Sequence, residues 1–170
     1  MTLDPARTRV RFTLGATLHN VRGSADLVRG EIRFRDEPGV GPASGAVVID
    51  ARSARTGIDR RDRKMHEEVL ESGRFPEIVF EPARIEVRKL DPPHAEVALA
   101  GELWIHGVAH SFSIPAELTA DARDWVRAHA HFPIPYVAWG MKDVSNPILH
   151  VEPEVEVEVD AEGILAPPRE

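Results

Sequence analysis

The chain has 170 residues, 42% of them apolar and 29% charged, with a formal net charge of −7 and no cysteine. That length and balance fit one folded domain rather than a disordered chain. The acidity disfavours general nucleic-acid binding, and the lack of thiols excludes disulfides, thiolate nucleophiles, iron–sulfur clusters and cysteine zinc sites.

The N-terminal MTLDPARTRVRF has no apolar signal-peptide core. No run reaches the roughly 18 apolar residues of a membrane span, so a cytoplasmic protein without a membrane span is expected. RVRFTL then alternates, with Val10, Phe12 and Leu14 against Arg9, Arg11 and Thr13, and EIRFR places Ile32 beside Phe34. Successive side chains of a strand point to opposite faces, so this period predicts strands with one covered and one wet face. RDEPGVGPASG, Arg35 to Gly45, reads as a Gly/Pro-rich loop.

The next segment breaks the period. Arg60 to Ser72 reads as a helix, with Asp59 able to cap its start and Gly73 to end it. Met65 and Val69 share one face at i,i+4, and most of the other positions are charged. After it the alternation returns: Ile78 and Phe80, then Ile85 and Val87 beyond an irregularity expected at Pro82. LDPPHA is a turn. AEVALAGELWIHG sets Val97, Leu99, Gly101, Leu103 and Ile105 on one face, and IHGVAH is a hairpin centred on Gly107. HSFSIPAEL gives Phe112, Ile114, Ala116 and Leu118, and DWVRAHAHFPI gives Val126, Ala128, Ala130, Phe132 and Ile134. LHVEPEVEVEVD, Leu149 to Asp160, alternates strictly, and its acidic row reads as a solvated face. The tail AEGILAPPRE, residues 161–170, is expected to be loose. Pro82, Pro115, Pro133 and Pro153 fall inside strand patterns, where proline marks an edge, a rim or a bulge.

At least seven half-polar strands make an antiparallel protein, packed as a sandwich or closed as a barrel. The apolar face is rich in Val, Ala and Gly, and only 6% of the chain is aromatic. That favours a barrel with an apolar cavity suited to a long, greasy ligand. Catalytic patterns are missing: there is no G-x-S-x-G, Walker loop or G-x-G-x-x-G. His66 and Glu67 begin H-E-x-x-H, but Leu70 stands at the second ligand position. His129 and His131 share an outer strand face and read as polar surface residues, and His106 and His110 read as turn or surface residues. Asp59, Asp62, Glu67 and Glu68 are explained by an exposed helix as well as by acid–base chemistry.

The segment RTGIDRRDRKMHEEVLESGRFPEIVF resembles the signature of the YceI-like family of polyisoprenoid-binding, lipocalin-like barrels. The matching positions are Ile49, Asp50, Ser53, Thr56, Gly57, Arg61, Asp62, Phe75, Pro76, Ile78 and Phe80. LDPARTRVRF resembles the family's first strand. Val21, Gly23, Gly30 and Ile32 resemble its V-x-G segment, Gly101, Leu103, Gly107 and Val108 its hairpin, and Trp139 and Gly140 its aromatic-Gly turn. Trp104 stands where the family usually has Thr, Arg63 where it has His, and Ala25 where it has a bulky aromatic residue.

The resemblance implies a single domain over residues 1–170, with a barrel core at about 3–160. The fold implied is an all-β, eight-stranded antiparallel barrel with a short helical insert at about residues 53–72. It also implies a homodimer in many members. It implies non-catalytic binding, for carriage or storage, of a long-chain isoprenoid or fatty lipid, with no other cofactor. The chain of such a ligand is expected to lie against Phe12, Leu14, Val21 and Phe34, then Phe80, Leu99, Leu103 and Ile105, and finally Phe112, Ile114, Phe132 and Ile134. Met65, Val69 and Leu70 are expected to face the barrel, with Arg61 and Asp62 forming a buried pair that fixes the insert over one end. The alternatives are a filled-core interaction protein and an enzyme built on the histidines and carboxylates.

Overall fold

The computed structural model describes residues 1–35, 38–121 and 123–165. Nine strands follow one another: β1 (Thr2–Leu3), β2 (Arg9–Ala16), β3 (Val21–Phe34), β4 (Gly39–Arg55), β5 (Glu77–Asp91), β6 (His94–Ile105), β7 (Val108–Ala120), β8 (Trp125–Ile134) and β9 (Val151–Ile164). All pair antiparallel, in the order β3-β2-β9-β8-β7-β6-β5-β4, and β4 returns to β3 to close an eight-stranded barrel. The tiny β1 bridges β3 and β9, laying Leu3 over Gly30. A methyl group on Gly30 would stand 2.6 Å from the Leu3 side chain, so a larger residue there would force Leu3 to shift.

The strands carry the alternation expected of them, with one correction to phase in β3 and the expected irregularity at Pro82 in β5. In β3 the register shifts between Leu27 and Arg29, so Val21 and Leu27 share the inner face with Ile32 and Phe34 despite the change of parity. In β5 the shift falls between Pro82 and Arg84, where a proline with no N–H interrupts the ladder. Pro153 lies at a second irregularity, where β9 slips past β2 between Leu14 and Ala16.

Pro115 and Pro133 mark the most consequential site. β7 pairs with β8 only through Ala116–Ala120 and Val126–Ala130. The first half of β7 and the residues His131–Ile134 of β8 therefore diverge. The segment after β8 covers this seam: Trp139 stacks on His110 and meets Phe112 edge-on at 5.6 Å.

Several boundaries move from expectation. Gly39 to Gly45 are strand, not loop, because β4 bends at Gly45 (φ 119°), where a Cβ would lie 2.0 Å from the Glu31 carbonyl oxygen. Asp36 and Glu37 of the expected loop lie outside the described residues. The helical insert starts after Arg55 rather than at residue 53, since β4 pairs Arg55 with Ser24. Its helix, α1 (Asp59–Lys64), widens into a π-helical turn at Met65–Val69. Ile58, not Asp59, takes the cap position, and no side chain caps it. The last strand begins at Val151 rather than Leu149. It continues through Ala161 to Ile164 because Gly163 pairs with Leu3 and Val126, so the loose tail is not seen at 161–164. Residues 166–170 lie outside the described residues.

Candidate functional site: an apolar cavity under a polar clasp

The inner faces enclose a cavity of about 580 Å³. All the residues expected against a ligand line it except Phe112. That ring shares the inner side of β7 but packs edge-on against Phe132 at 5.5 Å and against Trp139, so it seals the β7/β8 seam. The sequence reading missed several contributors. Met1 and Leu3 close one end, and the long connection after β8 supplies Tyr136, Met141 and Leu149. Irregular segments carry no periodic signal, so only the aromatic-Gly turn at Trp139 and Gly140 hinted at them.

The β4–β5 insert covers the other end. Met65, Val69 and Leu70 face the cavity as expected. Arg61 and Asp62 do not pair with each other; both grip Thr56. The Asp62 carboxylate accepts from the Thr56 backbone N–H at 2.9 Å and from its hydroxyl. Arg61 Nε donates to Thr56 Oγ1 at 2.7 Å and its Nη2 donates to the Thr56 carbonyl at 3.1 Å. Burial pushes the Asp62 pKa up, but hydrogen bonds from Thr56 and Gly57, helped by the Arg61 charge, outweigh it and hold it below its ordinary value. Consecutive helical residues point in different directions, so a neighbouring pair converges only through a third group.

His66 is a strut, not a metal ligand. Its Nε2–H donates to the Ala54 carbonyl at 2.7 Å, which leaves Nδ1 to accept from the buried Ser72 hydroxyl at 2.7 Å. This ties the π-helical turn to the end of β4. Glu71 meets His106 Nε2, and that imidazole packs on Phe75 at 4.7 Å. His106 lies in the β6–β7 turn as expected, while His110 lies within β7; both are half-buried packing residues rather than surface ones. His110 Nε2 is buried without a hydrogen-bond partner.

The mouth lies between this insert and two loops. In one, Asn146 Oδ1 accepts from the backbone N–H groups of Ile148 and Leu149 at 3.0 and 2.9 Å, folding residues 146–149 on themselves. Thr17 N–H donates to the His150 carbonyl at 3.0 Å and His150 N–H to Thr17 Oγ1 at 3.0 Å, fastening that loop to the β2–β3 turn. Lys142 pairs with Glu68 across to the insert. Leu18, His19, Lys64 and Asn146 reach the opening.

His129 lies outside on β8, where its Nδ1 is 2.8 Å from Asp160. With Glu158 these groups are close enough to share a cation, but Arg11 already pairs with both carboxylates. The outer-face reading of His129 and His131 stands, and neither touches the cavity.

A closed antiparallel barrel around an apolar chamber, capped by a helical crossover, is a lipocalin-like architecture. Residues 1–163 match the family model of the YceI-like domain, and the chain belongs to that family. A UPF0312 protein of Vibrio campbellii is 23% identical over 146 residues, covering 85% of this chain and 74% of the relative. A second, from Vibrio parahaemolyticus, matches to the same extent. Among solved structures, Burkholderia cenocepacia BcnA superposes with a TM-score of 0.74 at 14% identity, over 95% of this chain and 99% of the other. A polyisoprenoid binding domain from Saccharophagus degradans, implicated in plant cell wall breakdown, superposes with a TM-score of 0.71 at 16% identity, over 95% of each chain. At these identities the structural likeness speaks for the fold.

Proposed function

We propose that the protein binds a long-chain amphiphilic lipid, a polyisoprenoid by preference, inside the barrel, and carries or stores it without chemical change. The observation that carries this reading is the cavity itself. Its about 580 Å³ falls within the range of about 300–1,000 Å³ typical of small-molecule sites. Its wall is almost wholly aliphatic and aromatic, so transfer of apolar ligand surface from water drives binding at about 25 cal/mol per Å² before the costs of association. The likeness to the polyisoprenoid binding domain of Saccharophagus degradans supports the choice of isoprenoid.

The lining argues for carriage over catalysis. Among the described residues, no Asp or Glu lines the cavity, and the histidine that reaches it, His19, stands at the mouth. Acid–base chemistry needs a carboxylate or imidazole within reach of the bound chain. A filled-core interaction protein is disfavoured by the size of the chamber.

The test is uptake of geranylgeraniol, dispersed from ethanol and counted by native mass spectrometry, by the wild type and by Ile114→Trp. Stoichiometric uptake by the wild type and its loss in the folded variant are expected. Equal uptake by both proteins would place the lipid elsewhere and refute the reading.

A further inference from the structure

We infer that the cavity mouth is a membrane-docking surface, which seats on a bilayer with anionic headgroups so that ligand passes between bilayer and barrel without crossing water. This rests on the binding function proposed above and adds its partner.

Three observations converge at one end of the barrel. The first is apolar exposure. Ile148 is 90% exposed and Leu18 80%, the two highest values among the exposed large apolar residues. They sit on loops that the Thr17–His150 hydrogen bonds hold side by side. Ile58, 53% exposed, stands at the start of α1 on the insert that covers this end of the barrel. Isolated exposed apolar residues are ordinary on soluble proteins, but these lie on separate connections around the entrance of an apolar chamber.

The second is the sign of charge at the entrance. The protein is acidic overall, yet among the described residues the charged side chains lining the cavity are Arg61 and Lys64, both cations at the mouth. On the same helix, Thr56 engages Asp62 and Lys142 engages Glu68. Asp62 keeps its charge, so from Asp59 to Glu68 four basic residues (Arg60, Arg61, Arg63, Lys64) stand against four acidic ones (Asp59, Asp62, Glu67, Glu68), and Lys142 on Glu68 adds one further cation to this end. Basic residues beside inserting apolar side chains are the two components of interfacial binding to anionic lipid.

The third is rigidity. Each rim element is tied down: the 146–149 loop by Asn146, the β2–β3 turn by Thr17, and the insert by Thr56 and His66. The apolar tips are therefore held outward in a fixed frame.

The experiment is flotation of the full chain with vesicles of phosphatidylglycerol and phosphatidylcholine mixed one to three, beside pure phosphatidylcholine vesicles. The double variant Ile58→Asp/Ile148→Asp suits it, because neither residue lines the cavity and aspartate is a favoured helix N-cap. Wild-type protein is expected to float with the anionic vesicles, less so as salt is raised. The double variant should lose at least about tenfold in partitioning, while Lys64→Glu should reduce binding to the anionic vesicles selectively. Uptake of ethanol-dispersed geranylgeraniol is measured on the same samples. Normal uptake with no flotation, or flotation unchanged in the double variant, overturns the docking surface and leaves the binding function standing. Flotation lost in the variant with uptake retained establishes the surface. Flotation without uptake by the wild type supports the surface and separately defeats the binding function.

Discussion

The imidazole of His110 on β7 and the indole of Trp139 stack 4.0 Å apart with 5° between their planes. The contact joins a strand to a connection that follows the next strand, and it covers the stretch where β7 and β8 stop pairing. Stacking, with Phe112 edge-on, here takes the place of backbone hydrogen bonds as the wall of the barrel.

Removing Trp139 should open that seam. Trp139→Ala is expected to cost about 2–4 kcal/mol of stability, below the largest core truncations because the ring is only half-buried. Amide hydrogens in Val108–Ile114 should exchange faster in the variant, while those of β2 and β9 hold their rates. Denaturant unfolding and hydrogen exchange by mass spectrometry read both effects. Uniform acceleration across all strands would contradict a local seam.

Thr56 is the hinge pin of the insert. Thr56→Val keeps the shape of the side chain but removes the hydroxyl that joins Arg61 to Asp62. A loss of about 1–3 kcal/mol is expected, the cost of leaving half-buried polar groups unpaired. Thr56→Ser should restore most of it. Equal stability of the Val variant and wild type would show that the network contributes nothing.

The same network gives stability an acid limb. The folded pKa of Asp62 lies below its ordinary value of 3.8. A depressed carboxylate contributes stability that is present above the unfolded pKa and is lost as pH falls through the folded one. Asp62→Asn should therefore cost stability at pH 7, and the gap to wild type should close as pH drops below about 4. Urea midpoints along a pH series test this; a gap independent of pH would contradict it.

His129 behaves in the opposite sense. Its hydrogen bond to Asp160 raises its pKa above 6.5. Its contribution is fully present below that value and disappears as pH rises through the folded pKa. The pair is exposed and screened, so the effect is small. NMR titration of the imidazole should show the raised value, and lipid uptake should not follow it, because His129 lies on the outer wall.

Much of this fold was legible in the sequence because β-structure writes its covered face in a period of two. Phe12, Leu14, Leu99, Leu103, Phe132 and Ile134 could be assigned to the interior before any coordinates, and all of them line the cavity. The misplacements share one cause: contacts made at a distance in sequence. Gly163 and Ala161 read as tail because nothing local shows that Leu3 and Ala128 wait across the barrel. Phe112 has the right parity, and only the divergence of β8 turns it toward Trp139. Arg61 and Asp62 look like an ion pair in sequence, and Thr56, five and six positions earlier, takes the contact from both. Tyr136 and Met141 belong to a connection without a period, so their burial was invisible.

The central claim is that the barrel holds a lipid chain. Its most direct test is mass spectrometry of an organic-solvent extract of freshly purified protein, beside native mass spectrometry of the intact chain. A long-chain isoprenoid or fatty lipid in stoichiometric amount, with the matching mass increase on the native protein, is the expected result. Protein that carries no lipid and takes up none from added prenyl alcohol would contradict the account.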